Sequence, residues 1–338
     1  MKNQRLPMNT DKVETSVIVP CYNEETTISL LLEALSQQTY PISQLEVIIA
    51  DGLSNDLTRK RIVDFLNDHK DLKVKIVDNP KRTIPAAVNI AVQHSSGVFI
   101  VRLDAHSIPE PTYVELCVNA LMDQKADCVG GVWKIAPGDG SWMARSIAAA
   151  AANPVAVGDA HYRFTNKAAY VDTVPFGAFR KDLFIELGGF NENLLSNEDY
   201  EFFTRIRKNT GRIWLDPAIR STYFARSDLR SLSRQYWRYG FWKFQMLQQF
   251  PDTLRWRQAL PPMFVLTILS LAFLSLFDNI FLWVLLGLLT FYFLILIAAS
   301  IKTSILRKDI SLLVGMPLAI LCMHVSWGSG FLYSIIKR

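Results

Sequence analysis

The chain has 338 residues, 50% of them hydrophobic, and a formal net charge of +5, with a mean hydropathy of +0.16. That length permits one large domain or two smaller ones, and the mild charge, without a dense basic tract, excludes nucleic acid as a partner. Cys21, Cys117, Cys128 and Cys322 lie far apart with no CxxC pair, which argues against a disulfide framework or a zinc site and for a reducing compartment. Charge and hydrophobe are mixed up to about Leu260, and beyond it charges nearly vanish. The N-terminus, Met1 to Glu14, is polar and lacks an apolar segment, so no cleaved signal peptide is expected.

Ser16-Val-Ile-Val-Pro20 predicts a buried strand followed by a turn. Asn23-Glu-Glu-Thr26 offers caps for a helix that places Ile28, Leu31, Leu32 and Leu35 on one face, before Pro41 breaks it. A second strand, 45–50, ends at Asp51-Gly52, and 56–67 predicts a helix. A strand over 74–77, a helix over 84–93 and a strand over 98–103 ending at Asp104 follow. This β-α alternation builds an open parallel sheet. Ligands in such sheets bind beyond the carboxyl ends of the strands, where Pro20 to Tyr22, Asp51 and Asp104 fall.

From Tyr113 to Tyr223 the pattern is less regular: mixed strands are expected, with a long loop around Asn153 to Asp172 and a helix over 198–208. Leu229 to Phe250 interleaves aromatic residues (Tyr236, Trp237, Tyr239, Phe241, Trp242, Phe244) with Arg230, Arg234, Arg238 and Lys243. An amphipathic helix lying in the membrane interface has this composition; the alternative is a surface helix packed on the core. Three apolar stretches follow, Ala259 to Phe277, Ile280 to Ile301 and Ile310 to Ile336. A spanning helix needs about 20 apolar residues, so two or three spans are expected, the third crossing, bent or re-entrant. Lys302, Arg307 and Lys308 place the loop after the second stretch on the cytoplasmic side. The chain thus divides into 1–226, an amphipathic segment 227–258, and a transmembrane region 259–338.

Acidic residues at strand ends repel a phosphate directly. They make sense if one holds a base or ribose and another a divalent cation that bridges phosphates. Asp104-x-His106 sets two side chains on one side of an extended segment, and the imidazole tilts the choice toward Mn²⁺ over Mg²⁺; a backbone hydrogen bond is the simpler use of His106. Glu198-Asp199 opens a helix, where acidic residues are also favoured by the helix dipole. His161 and Arg163 are candidates for contact with a donor diphosphate or an acceptor phosphate, or for a solvated loop.

Val17-Ile-Val-Pro-Cys-Tyr-Asn-Glu24, Ala50-Asp-Gly52, Asn79-Pro-Lys-Arg82 with Ala86-Ala-Val-Asn89, Leu103-Asp-Ala-His106, Gly188-Gly-Phe190 and Asn197-Glu-Asp199 occur in that order. Together they resemble the family 2 glycosyltransferases of GT-A fold, over about Ser16 to Arg238. Val174 to Arg180 and Gly211 to Asp216 look like the succinoglycan-type bacterial exopolysaccharide enzymes. The resemblance implies an inverting transfer of a sugar, glucose from UDP-glucose first, to a lipid-linked saccharide at the inner (plasma) membrane, in exopolysaccharide or cell-surface glycan synthesis. The protein would be multi-pass, with its catalytic domain cytoplasmic. It also implies that Pro20, Tyr22 and Glu24 line the nucleobase pocket with Asp51 on the uracil. Lys81 or Arg82 would lie near the base or diphosphate. Asp104 and His106 would match the metal and ribose motif, usually Asp-x-Asp, with Mn²⁺ or Mg²⁺ as the cation. Asp199 would be the catalytic base, with Glu198 supporting it or contacting the acceptor. The Gln-x-x-Arg-Trp motif of processive synthases is altered to Gln235-Tyr-Trp-Arg238-Tyr239, leaving Gln235 and Arg238 as acceptor-side candidates.

A dinucleotide oxidoreductase also begins β-α-β, but it needs Gly-x-Gly-x-x-Gly after the first strand; here that turn is Pro-Cys-Tyr-Asn-Glu. A membrane scaffold without activity is a further alternative. Among enzymes the alternatives are a processive polysaccharide synthase and a transferase that glycosylates polyprenyl phosphate.

Overall fold

A computed structural model describes residues 13–337; the N-terminal expectation, apart from its last two residues, and Arg338 lie outside the described residues. The chain forms two compact units, one of residues 13–132, Asn166–Asn193 and Phe202–Thr222, the other of Trp133–Thr165, Leu194–Glu201 and 223–337. Each unit is built from three segments, which alternate along the chain.

The first unit opens with β1 (Thr15–Cys21), α1 (Ile28–Ser36), β2 (Leu45–Asp51), α2 (Thr58–Asp68), β3 (Lys73–Asp78), α3 (Ile84–Gln93) and β4 (Phe99–Arg102). Every residue of β1 is buried, which is what its β-branched run requires. β1 pairs in parallel with β2 and with β4, and β2 with β3. The order β3-β2-β1-β4 reverses direction at β1, and a reversal of this kind opens a crevice at the carboxyl ends of the two central strands. The expected caps at Asn23 to Thr26 do not form: α1 has Thr27 at its N-cap position, with no side-chain cap. Those side chains serve the neighbouring loop instead, where Asn23 Oδ1 accepts from the Asn55 amide at 3.0 Å and Glu25 Oε2 from that of Leu57 at 2.8 Å.

Then follow β5 (Ser107–Pro109), α4 (Tyr113–Met122) and β6 (Cys128–Ala136), with α5 (Trp142–Ala151) and α6 (Pro154–Val157) in the irregular middle. Next come β7 (Ala169–Tyr170), β8 (Ala178–Arg180), α7 (Lys181–Glu186), α8 (Glu198–Lys208) and β9 (Ile213–Phe224). β8 inserts antiparallel between β4 and β6, so the nine-stranded sheet among the described residues is mixed, in the order β3-β2-β1-β4-β8-β6-β9-β5, with β7 on β9. Phe179, Phe184, Phe190 and Phe202 stack into one aromatic cluster, with centroids 5.1 to 5.9 Å apart. This cluster anchors the body of α8.

The second unit is helical. α9 (Leu229–Gln249) is followed by α10 (Trp256–Leu274), α11 (Asn279–Arg307) and α12 (Leu312–Ile336), and the last three are long and apolar enough to cross a membrane. Their surroundings differ. In the most apolar window of α10 and of α11 only 11% and 6% of residues are buried by protein, against 50% in α12. α12 is packed by α5 and α9 as well as by its apolar neighbours. Gly315 meets Ser146 of α5, Gly240 of α9 meets the Trp327 carbonyl, and Gly330 meets the Trp237 carbonyl. Small residues let these backbones approach, as in close-packed membrane helices. Lys243, counted from sequence on the basic face of α9, is fully buried instead. Its Nζ lies 4.2 Å from the Tyr200 ring centroid and donates to the Thr253 carbonyl at 3.2 Å.

A Cβ added at Gly240 would lie 2.0 Å from the Trp327 oxygen, whereas at Gly287 in α11 it would meet nothing within 4 Å. Gly240→Ala is therefore expected to cost about 1–3 kcal/mol through overpacking, read as a lowered Tm in detergent. Gly287→Ala should leave Tm unchanged or slightly raised.

Candidate active site

In the first unit the strand register brings Cys21, Asp51 and Asp78 to one rim. Cys21 pairs with Asp51, and Asp51 with Asp78. Asp51 is fully buried. Its Oδ1 accepts from Ser54 Oγ, and its Oδ2 from the Ser54 amide and, at 2.5 Å, from Arg59 Nε. Arg59 also reaches Asp78 Oδ1 at 2.5 Å, and these two carboxylates hold its guanidinium above its ordinary pKa. Asp51 thus fixes the loop from Gly52 to Arg59, a task that the motif reading did not assign to it.

Tyr22 lies against Gly52, where an added Cβ would be 3.0 Å from the ring, and the Arg82 guanidinium stands 5.6 Å from the Tyr22 centroid. Of the two cations considered, Arg82 is therefore the one beside Tyr22. Lys81 pairs with Glu192 at 2.7 Å, and the hydrogen bonds from Lys81 and Asn89 hold the Glu192 carboxyl below its usual pKa. Pro20 sits one residue before the end of β1, paired with Ala50.

Glu24, assigned from sequence to the nucleobase pocket, accepts from Thr27 Oγ1 at 2.5 Å and contacts His106 Nδ1 at 3.0 Å. In the tautomer that carries its proton on Nδ1, His106 donates to this carboxylate and keeps a lone pair on Nε2. A carboxylate behind an imidazole is a common way to aim that lone pair at a metal. Asp104 Oδ1 lies 3.2 Å from Arg102 Nη2, and its turn is closed by Ser107, whose hydroxyl donates to the Asp104 carbonyl at 2.7 Å. Among the described residues no three His, Cys, Asp or Glu side chains form a group able to hold a metal alone. A divalent cation held at Asp104 and His106 would therefore have to take its further ligands from a substrate.

The second unit holds the acidic pair. Glu198 is buried and Asp199 half-buried in the first turn of α8. The loop before them is tied to α9: Arg238 Nη2 donates to the Leu195 carbonyl and Asn197 Nδ2 to the Tyr239 carbonyl, both at 3.2 Å. Leu194 and Tyr200 pack with Met246, Trp242 and Phe250. Gln235 Nε2 donates to the Tyr223 and Tyr239 hydroxyls at 3.1 and 3.0 Å. The structure thus gives Arg238 a clear task, holding the segment that presents Asp199, and sets Gln235 in a tyrosine cluster. Arg59 escaped the sequence reading, and Asn197 entered it only as part of its motif, because their partners lie on other elements.

A reversed open sheet with acidic strand ends, a mixed far half and an acidic helix turn is the GT-A form of a glycosyltransferase. Solved structures agree on the fold. A mannosyltransferase of Pyrobaculum calidifontis, in complex with GDP-mannose and Mn²⁺, aligns over 96% of this chain and 88% of its own with TM-score 0.66 and 18% identity. Residues 1–349 of Staphylococcus aureus TarS, in complex with UDP, align over 96% and 92% with TM-score 0.50 and 16% identity. The chain belongs to glycosyl transferase family 2, whose model matches residues 16–188. Among curated relatives it is 30% identical, over 69% of its length and 71% of theirs, to the succinoglycan biosynthesis protein ExoA of Rhizobium meliloti. It is 24% identical, over 95% and 97%, to a Methanococcus voltae enzyme. That relative is a dolichyl N-acetyl-alpha-D-glucosaminyl phosphate 3-beta-D-2,3-diacetamido-2,3-dideoxy-beta-D-glucuronosyltransferase. The protein is thus a glycosyltransferase resembling the exopolysaccharide-type enzymes, with three apolar helices after its catalytic domain.

Cys21, Cys117 and Cys128 are buried. Burial pushes each thiol above its ordinary pKa, helped at Cys21 by the Asp51 carboxylate. A protonated, enclosed thiol is a poor nucleophile. Iodoacetamide followed by mass spectrometry should leave these three unlabelled in the folded protein and label them after denaturation.

Proposed function

We propose that this glycosyltransferase transfers one sugar from a nucleoside diphosphate sugar, UDP-glucose first, to a lipid-linked saccharide at the cytoplasmic face of the inner membrane. The observation that carries the reading is the membership of the second unit. The acidic first turn of α8 belongs to the same compact unit as the three apolar helices, so the base is built into the membrane-facing part. The relatives point the same way, since the Methanococcus voltae enzyme is named for a dolichyl-phosphate acceptor and ExoA for succinoglycan biosynthesis. Lys302, Arg307 and Lys308 near the end of α11 support a cytoplasmic catalytic domain.

Chemically, transfer with inversion uses both faces of the anomeric carbon. The acceptor hydroxyl attacks one face while the bond to the diphosphate oxygen breaks on the other. Asp199 accepts the hydroxyl proton as the new bond forms, and Arg238 and Asn197 hold it in place by fixing the loop before it. Glu198 supports that turn. Tyr22 offers a face for the base, with Arg82 beside it. Asp104 and His106, the latter oriented by Glu24, would hold a divalent cation, Mn²⁺ or Mg²⁺, which would supply charge neutralisation for the departing diphosphate. No acid is needed on that side, because a diphosphate leaves readily.

Two outcomes are expected with purified protein in detergent, given membrane lipid extract and a panel of nucleotide sugars, by measuring nucleoside diphosphate release. Asp199→Asn should lower kcat about 10²–10⁴-fold with little change in donor KM; unaltered kcat would sink the assignment of the base. Glu24→Gln should raise the Mn²⁺ concentration for half-maximal rate about 10–100-fold, while excess Mn²⁺ restores turnover.

A further inference from the structure

Arg163 occupies an unusual environment in the second unit. Its guanidinium lies 5.1 Å from the centroid of Trp133 and 5.4 Å from that of Tyr162. Its Nε donates to the Tyr162 hydroxyl at 3.3 Å and its Nη1 to the Tyr236 hydroxyl at 3.4 Å. Among the described residues no carboxylate lies within ion-pair distance of it. Behind this pair of rings, Tyr223 stacks on Trp133 at 4.2 Å, and Gln235 Nε2 bonds the hydroxyl oxygens of Tyr223 and Tyr239. Aromatic faces stabilise a guanidinium without neutralising it. The cluster therefore carries a whole positive charge and several hydroxyl donors, and no anion of its own.

Tyr236 and Tyr239 stay protonated at neutral pH. Burial pushes Tyr236 up to about 12 and raises Tyr239 as well. Burial alone would lower Arg163, but the phenolic oxygens of Tyr162, Tyr236 and Tyr223 outweigh it and hold the guanidinium above its ordinary value. A donor-rich cage around one fixed cation is the environment that recognises a phosphate, because a planar guanidinium can donate to two of its oxygens at once.

We infer that Arg163, with Tyr236 and Tyr239, forms a phosphate subsite that takes the phosphate or diphosphate of the lipid-linked acceptor. The inference rests on the acceptor proposed above. Its carriers, α9 and the segment after α6, lie in the unit that contains the apolar helices. A lipid phosphate held there would fix the near end of the acceptor while the lipid remains in the bilayer. The donor diphosphate is the other source of the same chemistry, and the two give different results.

The test is calorimetric binding by the full chain in detergent, using farnesyl diphosphate, farnesol, inorganic pyrophosphate and UDP as probes. The native protein should bind farnesyl diphosphate more tightly than farnesol. Arg163→Gln should weaken farnesyl diphosphate and pyrophosphate about 10–100-fold, the loss expected for a charge-assisted hydrogen bond, and leave UDP unchanged. Tyr239→Phe removes a single hydroxyl, so it reports on the site if Arg163→Gln does not fold; it should weaken the same probes by a smaller factor. Loss of UDP affinity with farnesyl diphosphate unaffected would reassign the cage to the donor and overturn the acceptor subsite. Unchanged pyrophosphate and farnesyl diphosphate binding in both variants would overturn the phosphate site altogether. If the native protein binds pyrophosphate and UDP but discriminates no prenyl diphosphate from prenyl alcohol, the lipid-acceptor reading fails while the anion site stands.

Discussion

Three parallel strands end in step, Cys21 opposite Asp51 and Asp51 opposite Asp78, and the rim they form could not exist without a counter-charge. Two carboxylates at adjacent strand ends repel, and one of them is wholly buried. Arg59, projecting from the first turn of α2, bonds both. A buried carboxylate is tolerated when it is paired and hydrogen-bonded, and Ser54 supplies the remaining bonds. Everything on that rim follows from this pairing. The loop from Gly52 to Arg59 acquires a fixed path, Gly52 gives Tyr22 a surface to lie on, and Asn23 and Glu25 are drawn into bonds with that loop. Removing Arg59 would leave an uncompensated buried charge in the middle of that rim.

How far the sequence foretold this depends on the range of the interaction. Strands with β-branched runs and helices with punctuating Pro or Gly were legible because their causes are local: 84–93 and 198–208 were read to the residue, and β2 and β3 to within one or two. The family motifs then marked the chemistry-bearing positions, and the family model and the fold bear out that resemblance. Partnerships were not legible. Nothing near Glu24 says that its carboxylate turns to His106, 82 residues on, nor does anything near Arg238 say that it donates to Leu195, 43 residues back. Lys243 shows the limit well. Its type and spacing suited a lipid-facing helix, yet the aromatic face of Tyr200 and the oxygens of Thr253 satisfy it in the interior. Composition likewise does not reveal that segments as distant as Leu194–Glu201 and 223–337 condense into one unit.

The two units carry complementary kinds of chemistry. The first offers a flat aromatic surface, a cation and a carboxylate–imidazole pair, which suit a nucleotide. The second offers a half-buried carboxylate, phenols and a guanidinium without a counter-ion, close in the fold to helices built for lipid.

The contact between α9 and α12 has a mechanical side. Gly240 and Gly330 bring each helix against a carbonyl of the other, and Phe244 meets Phe331 while Gln245 bonds Ser334 further along. Where the two backbones touch at these glycines, little side-chain slack separates the helices. α9 is also the helix that grips the Leu195 and Asn197 segment ahead of Asp199. A bilayer that thins or thickens tilts the helices it contains, and α12, long and apolar enough to cross one, would pass such a tilt through α9 to the Leu195 and Asn197 segment.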